Sequence, residues 1–326
     1  MSTSDGVDLD DYHEFQAALS AALKLEYSQL LDRFGLAQYS PSLYSGRYFR
    51  SRLAHHAAGV SSPTLIDHCK ALEMMHTATL VHDDIIDKAV LRRSLPTLTN
   101  SLGPDEALLV GNMIATRAIS IAALESQPLT RSFLDAYDRV NTAQEQELRY
   151  RGYLDKTAEQ YYEICRGKTS AMLELALLIG AAEVGADPGT EPLVLAVREI
   201  GIAFQVVDDC EDLVAWLEGA ELDRSKSAQF DIDLGNYTLP VVVALEAAAA
   251  GQSARSLANV DRKTWSDSVT RSMAIAFHHL DLADSEIAIA RKESDSGLVH
   301  RVEVWFKRVA DALHTKKLDL VVQTDL

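Results

Sequence analysis

Apolar residues recur every three or four positions through most of the chain, and this spacing is typical of helices that bury one face. Alternating apolar and polar patterns are scarce, and the 326 residues include only 16 glycines and 8 prolines. The pattern therefore predicts an all-α fold. The segments with helical spacing are 13–35, 63–90, 104–125, 130–149, 157–182, 192–217, 238–250, 266–292 and 297–315.

Turn-forming sequences such as YSPSLYSG and EVGADPGTEP separate the predicted helices, and residues 218–236 form the longest irregular stretch. The chain contains no Ser/Gly-rich linker, charge block or low-complexity tract that would divide it into domains. We therefore predict a single all-α domain over residues 1–326, in which residues 1–12 are loosely ordered.

The composition limits the functions that are possible. The formal net charge is −17, which disfavours a nucleic-acid interface because phosphate binding needs a basic face. The three cysteines are far apart and form no C-x-x-C pair, so we expect a reducing, cytoplasmic location. The acidic start lacks a signal-peptide pattern, and no apolar run reaches about 18 uninterrupted residues. We therefore predict no transmembrane segment.

Two triplets of aspartates interrupt otherwise apolar helical sequences with the same D-D-x-x-D spacing. The first lies in LVHDDIIDKAVLRR and the second in AFQVVDDCEDL. On an α-helix, residues four apart are separated by about 40° around the axis, so the outer aspartates of each triplet point the same way. The six residues are Asp83, Asp84, Asp87, Asp208, Asp209 and Asp212.

Carboxylates this close together repel one another and take up protons unless a cation lies between them. A solvated acidic stripe is the alternative, but two copies inside apolar helices disfavour it because buried charges must be paired. Ligands that are all oxygen suit Mg²⁺, which typically binds one or two carboxylates, several waters and substrate phosphates. We therefore predict that the two acidic patches face each other across a cavity and clamp a diphosphate through Mg²⁺.

A diphosphate also needs cationic donors, and several stand beside these motifs. Arg92 and Arg93 follow the first triplet, SGRYFRSRL contributes Arg47 and Arg50, and RGKTSAM contributes Lys168. Arginine suits bidentate phosphate contacts, whereas lysine acts as a point charge. Each of these cations, taken alone, is also typical of an exposed surface residue.

Two further polar residues share the helix faces that carry the aspartates. His76 lies two turns before Asp83, and Gln205 lies three residues before Asp208. The alternatives are a packed core histidine and an ordinary buried amide. RGKTSAM is not a P-loop, because Tyr162 stands where that motif needs its first glycine.

Together these motifs resemble those of the trans-type isoprenyl (polyprenyl) diphosphate synthases over roughly residues 40–245. The resemblance is carried by HDDIIDKAVLRR, GKTSAML, FQVVDDCED and DLGNYTLP. It implies the type I isoprenoid synthase fold, a helical bundle around a deep central cavity, and a homodimer.

The resemblance also implies a reaction. About three Mg²⁺ ions per active site would join both aspartate triplets to an allylic diphosphate, which leaves to give an allylic cation. Isopentenyl diphosphate would attack C1 of that cation, and the released diphosphate would remove the proton. The implied roles are catalysis for Lys168, Thr169 and Gln205; allylic diphosphate binding for Arg92, Lys168 and Lys226; and isopentenyl diphosphate binding for Arg47, Arg50, His76 and Arg93.

The sequence departs from the family pattern at several positions. The usual Gly-Gly-Lys-Arg-x-Arg-Pro reads SGRYFRS here, with Arg47, Tyr48 and Ser51 at the exchanged positions. A Gly-Asp pair becomes Gly-Asn112, and the Gly-Lys pair before x-T-L-P becomes Gly-Asn236. Both aspartate motifs are intact, so the motifs support ionisation of an allylic diphosphate more fully than isopentenyl diphosphate as its acceptor.

The residues before the first triplet are expected to set the product length. At about 1.5 Å per residue, Thr79, Ala78 and Met75 lie roughly 6, 7.5 and 12 Å before Asp83. In the family, a bulky aromatic residue near this turn stops elongation early. The small residues here predict geranylgeranyl diphosphate or a longer product.

Two alternatives from other classes remain. A terpene cyclase on the same fold would also ionise an allylic diphosphate, but cyclases typically carry Asn, Ser and Glu ligands in the second motif. A non-catalytic partner subunit of a heteromeric synthase would fit the altered SGRYFRS segment, yet it would not need six aspartates.

Overall fold

The computed structural model describes residues 9–43, 46–92, 95–125, 127–186, 191–218, 228–249, 255–294 and 296–324. This part of the chain is helical apart from loops and one hairpin, formed by β1 (Leu91–Arg92) and β2 (Leu95–Pro96), in which Leu91 pairs with Pro96. The helices are α1 (Leu9–Asp32), α2 (Phe49–Ala58), α3 (Pro63–Ile86), α4 (Leu98–Leu102), α5 (Pro104–Glu125), α6 (Gln127–Arg149), α7 (Ala158–Cys165), α8 (Ala171–Glu183), α9 (Glu191–Leu217), α10 (Ala228–Leu234), α11 (Leu239–Ala248), α12 (Arg262–Glu293) and α13 (Gly297–Thr324). The predicted all-α class is confirmed.

Some predicted boundaries need correction. The helix expected over 63–90 ends at Ile86, because Asp87 caps it and Lys88 takes a left-handed conformation with φ of 55°. A π-helical turn, Arg166–Ser170, interrupts the helix expected over 157–182. Residues 1–8, most of the stretch predicted to be loosely ordered, lie outside the described part, and α1 begins at Leu9.

The chain divides into two compact units, each assembled from three separate stretches. The first unit comprises Met1–Asp138, Met172–Val194 and Ile289–Trp305. The second unit comprises Arg139–Ala171, Leu195–Ala288 and Phe306–Leu326. The single domain over residues 1–326 and its deep central cavity stay predictions.

In the first unit α3 packs against α5 along much of its length, and Gly111 allows the close approach. A Cβ atom at this position would lie 2.6 Å from Nε2 of His82. Helix α5 is also the one described helix that is long and apolar enough to cross a membrane, and 44% of its apolar window is buried. This is weak support for a span, because core helices of soluble proteins pass the same test.

Candidate active site

The first aspartate triplet lies at the C-terminal end of α3, in the first unit. Asp83 and Asp84 belong to the last turn, and the N–H of the capping residue Asp87 donates to the carbonyl of Asp83 over 2.8 Å. That bond continues the helical geometry, so Asp83 and Asp87 share one face as predicted. Both are half-buried. A helix C-terminus is the negative end of the helix dipole, so three carboxylates there favour a nearby cation.

Arg92 on β1 supplies such a cation to the middle aspartate. Its Nε and Nη2 atoms each lie 2.8 Å from Oδ1 of Asp84, which is 5% exposed. The hairpin that follows α3 therefore folds Arg92 back onto the helix end. Arg93, the second arginine of the motif, lies outside the described residues.

Three of the residues predicted to bind isopentenyl diphosphate, Arg47, Arg50 and His76, lie just before α2, in its first turn and on α3. Ser51 donates to Oε1 of the buried Glu73, through its hydroxyl at 2.6 Å and its N–H at 3.2 Å. This contact joins the first turn of α2 to α3 one turn before His76. Arg50, beside Ser51 in that turn, and His76 are both half-buried, whereas Arg47 is exposed.

The residues predicted to control product length lie on the buried side of α3. Met75 and Ala78 are fully buried, and Thr79 is 8% exposed. The Thr79 hydroxyl donates to the carbonyl of His76 over 2.7 Å, so its polar atom is satisfied within the helix.

The second triplet lies in the last third of α9, in the second unit. Asp208 and Asp212 are half-buried, one turn apart on the same face. Asp209 between them is buried, and both of its oxygens accept hydrogen bonds. Tyr161 donates to Oδ2 over 2.6 Å, and Nε2 of Gln205 donates to Oδ1 over 2.9 Å.

The surroundings of Asp209 change its acidity. Burial raises its pKa to about 7, while the hydrogen bonds from Tyr161 and Gln205 oppose that shift. Burial, and then the charge of Asp209, raise the pKa of Tyr161 well above its ordinary value, so the phenol keeps its proton and donates. In both motifs the middle aspartate is thus buried and holds other side chains, while the outer aspartates are half-buried.

The three predicted catalytic residues, Lys168, Thr169 and Gln205, lie in or beside the π-helical turn. The Thr169 hydroxyl donates to Oε1 of Gln205 over 2.8 Å, which links this turn to Asp209. Nζ of Lys168 donates to Oε2 of Glu147 on α6 over 2.7 Å. Burial alone would raise the pKa of Glu147, but the charge of Lys168 and its hydrogen bond hold that pKa below the ordinary value.

Two close approaches fix this turn between its neighbours. A Cβ atom on Gly167 would collide with Ala143 of α6, and one on Gly201 of α9 would collide with Ser170. The absence of side chains at both glycines therefore lets α6 and α9 press against Arg166–Ser170. Lys226, the other lysine predicted to bind the allylic diphosphate, lies outside the described residues.

Sequence reasoning missed three residues of the second unit. Glu147 is the partner of Lys168, Tyr161 is the partner of Asp209, and Lys156 is a lysine only 5% exposed. Glu147 lies in the polar sequence AQEQELR, which gives no sign of burial, and Lys156 lies in a turn where a solvated lysine is the usual expectation. The apolar face of α7 was the one available signal for Tyr161.

The donor chemistry fits Mg²⁺. Among the described residues, no three His, Cys, Asp or Glu side chains converge closely enough to form a complete ligand set. Mg²⁺ does not need one, because it keeps several waters and shares its remaining positions with substrate phosphates. The half-buried outer aspartates of each motif offer the few carboxylate oxygens that such a site uses.

Comparison with known proteins gives the family. The sequence profile of the polyprenyl synthetases matches residues 37–275, which is well over half of the chain. This chain belongs to the polyprenyl synthetase family. Among curated members it is 31% identical to an all-trans-nonaprenyl-diphosphate synthase of Rhodobacter capsulatus over 62% of each chain. It is 28% identical to an octaprenyl diphosphate synthase of Haemophilus influenzae over 76% of this chain and 74% of that one.

Solved structures of the family confirm the isoprenoid synthase fold. A heptaprenyl diphosphate synthase of Staphylococcus aureus superimposes with a TM-score of 0.74 at 20% identity, over 92% of this chain and 98% of that one. A polyprenyl synthase of Caulobacter crescentus, complexed with calcium and isoprenyl diphosphate, gives 0.70 at 22% identity, over 96% and 98%. The chain spans less than two thirds of the length of the Rhodobacter relative that it matches by sequence.

Proposed function

We propose that this polyprenyl synthetase is a trans-prenyltransferase. It would condense an allylic diphosphate with isopentenyl diphosphate, head to tail, to give geranylgeranyl diphosphate or a longer product. The observation that carries the proposal is the repeated design of the two D-D-x-x-D motifs. In each, the buried middle aspartate, Asp84 or Asp209, is anchored by neighbouring side chains, and the outer aspartates on either side of it are half-buried, where they would bind metal.

Asp83, Asp87, Asp208 and Asp212 would hold the Mg²⁺ ions. When bound, Mg²⁺ would neutralise the charge that develops on the leaving diphosphate. The Caulobacter relative was solved with calcium and isoprenyl diphosphate, and this supports a divalent cation at a diphosphate site in this fold.

The chain itself would contribute positive charge and fixed dipoles to the ionisation. Lys168 would add charge at the allylic diphosphate, with Lys226 and Arg92 as further donors. The Thr169 hydroxyl is oriented by its bond to Gln205, so its free lone pairs form a preorganised dipole for the allylic cation.

Arg47, Arg50, His76 and Arg93 would bind the diphosphate of isopentenyl diphosphate without metal. The Ser51–Glu73 contact supports this role for the half-buried Arg50 and His76, because it ties α2 to α3 close to both residues. The double bond of isopentenyl diphosphate would attack C1 of the cation, and the diphosphate released from the allylic substrate would accept the proton. The reaction therefore requires no protein base.

The test is an assay of the purified protein with Mg²⁺ and farnesyl diphosphate, with and without isopentenyl diphosphate. Longer prenyl diphosphates formed only when both substrates are present would support the proposal. A cyclic hydrocarbon from farnesyl diphosphate alone would indicate a terpene cyclase instead. Activity only after a second protein is added would indicate a partner subunit of a heteromeric synthase.

The same proposal includes a cytoplasmic homodimer. Leu108 and Leu109 on α5 and Leu134 on α6 are exposed apolar residues, and a second copy of the chain would cover them. Cys69, Cys165 and Cys210 are buried free thiols, which suits a reducing compartment. Light scattering at several concentrations would reveal the dimer, and Leu109→Glu should shift it toward monomer.

A further inference from the structure

Lys156 is buried to a degree that is unusual for a lysine. It lies in the loop between α6 and α7 and is 5% exposed. Its Nζ atom donates to the carbonyl of Tyr237 over 2.9 Å and lies 5.6 Å from the ring centre of Tyr161. Burying an ammonium group is costly unless nearby groups compensate for the lost water, so the groups around Lys156 must stabilise its charge.

The aromatic contact connects Lys156 to the second aspartate motif. The ring that faces the ammonium belongs to Tyr161, whose hydroxyl donates to Oδ2 of Asp209 over 2.6 Å. Burial lowers the pKa of Lys156, while the negative charges of Glu147 and Asp209 oppose that shift. Lys156 therefore interacts with Glu147, the partner of Lys168, and with Tyr161, the partner of Asp209.

The other contact of Lys156 holds the segment before α11. Its neighbours in the loop bind the same segment: the N–H of Gly152 donates to the carbonyl of Gly235, and Nε of Arg151 donates to Oδ1 of Asn236. Residues 235–237 carry no charged side chain, so the cations beside them, Arg151 and Lys156, come from the facing loop.

Other contacts already hold the loop between α6 and α7 in place without a buried ammonium group. Arg255 already holds the loop from another side, because its Nη1 atom donates to the carbonyls of Leu154 and Lys156 over 3.2 and 3.3 Å. The backbone bond from Gly152 to Gly235 adds a second fastening. The charge of Lys156 therefore has a role beyond closing the loop.

We propose that Lys156 is a positioning residue of the diphosphate half-site in the second unit. It orients Asp209 through Tyr161, holds residues 235–237 in place, and adds positive charge for a magnesium-bound diphosphate. This inference rests on the proposed function, because the ligand it assigns is the diphosphate of that reaction.

The test compares Lys156→Met, Lys156→Arg and the control Arg255→Met by calorimetry with magnesium pyrophosphate and by steady-state kinetics. Lys156→Met keeps the length of the side chain but removes its charge. It should weaken pyrophosphate binding and raise KM for the allylic diphosphate by about tenfold each. Lys156→Arg should recover most of the binding. Arg255→Met should lower the unfolding temperature and leave binding within twofold of wild type.

A role limited to fastening the loop predicts another result. Lys156→Met would then lose thermal stability as Arg255→Met does and bind pyrophosphate within twofold of wild type, which would overturn the proposal. If Lys156→Met does not fold, Tyr161→Phe is tested in its place. Loss of the Tyr161 hydroxyl should also weaken pyrophosphate binding. Unchanged binding in Tyr161→Phe would overturn the proposal.

The failure of this inference can be told apart from failure of the proposed function. If wild type binds magnesium pyrophosphate but does not extend farnesyl diphosphate, the proposed function fails, while the comparison of Lys156→Met with Arg255→Met still decides the role of Lys156. If wild type does not bind magnesium pyrophosphate, both are contradicted.

Discussion

Nζ of Lys168 lies 2.7 Å from Oε2 of Glu147, so a cation of the π-helical turn and a carboxylate of α6 form an ion pair with little exposure to solvent. The pair fixes the direction of the ammonium group before any ligand arrives. A diphosphate bound here, as proposed, would meet an oriented charge, which would reduce the cost of ordering Lys168.

This pair leads to the first prediction. Lys168→Met should lower kcat/KM for the allylic diphosphate about 100-fold, because it removes a charge at the leaving group. Glu147→Gln should have a smaller effect, since Lys168 keeps its charge and loses only its anchor. The matched control is Arg149→Met, which breaks an exposed pair with Glu145 on the same helix and should change nothing. Equal kinetics for Lys168→Met and wild type would remove Lys168 from the site.

Arg92 and Asp84 should behave as a coupled pair. Asp84→Asn and Arg92→Gln each leave a partly buried charge without its partner, so each should destabilise the fold. In the double variant these losses should not add, with a coupling of about 1–3 kcal/mol measured by urea unfolding. Additive losses would show that the contact contributes nothing to stability.

Ala78→Phe tests the assignment of the product-length residues. Ala78 is fully buried on α3, about one turn before the aspartates, so a phenylalanine there would fill space that a growing chain needs. Chromatography of the products should show shorter prenyl chains. Leu124→Phe at an exposed position of α5 is the control and should not alter the length. Unchanged products from Ala78→Phe would refute the assignment.

Much of the fold and part of the site could be predicted from the sequence because both depend on spacing. Helical periodicity located most helices, and the four-residue interval placed Asp83 with Asp87 and Asp208 with Asp212 on common faces. The three-residue interval from Gln205 to Asp208 likewise placed the amide beside the motif, where it contacts Asp209.

The remaining features depend on contacts between residues distant in sequence, which spacing does not encode. Nothing local shows that Asp209 accepts a bond from Tyr161, 48 residues earlier, or that Ser51 binds Glu73 on another helix. The π-helical turn lies where α6 and α9 approach it closely, at Gly167 and Gly201, and these approaches join residues distant in sequence. The sequence around Lys156 predicts a turn in which the lysine is solvated, but tertiary contacts bury it.

His55 makes stability depend on pH. It is fully buried, with Nε2 lying 3.1 Å from Oδ2 of Asp11 and 3.0 Å from the hydroxyl of Ser61. Burial lowers the pKa of His55, and Asp11 opposes that shift. The unfolded chain therefore binds more protons below the ordinary value of about 6.5, so stability is complete above that value and falls as the solution becomes more acidic.

The measurement is the unfolding temperature between about pH 5 and pH 8. It should fall on the acid side in wild type, and His55→Gln should flatten that fall. His13→Gln, which alters an exposed histidine on α1, the helix that carries Asp11, should leave the profile unchanged. The same acid slope in His55→Gln and wild type would mean that other groups cause it.

The most direct test of the central claim is a crystal structure of the protein with Mg²⁺ and an unreactive analogue of farnesyl diphosphate. We predict Mg²⁺ ions bound by Asp83 and Asp87 from one motif and by Asp208 and Asp212 from the other, all contacting a single diphosphate. A diphosphate held by only one of the two motifs, or aspartates of the two motifs bound to separate ions that share no ligand, would contradict the account.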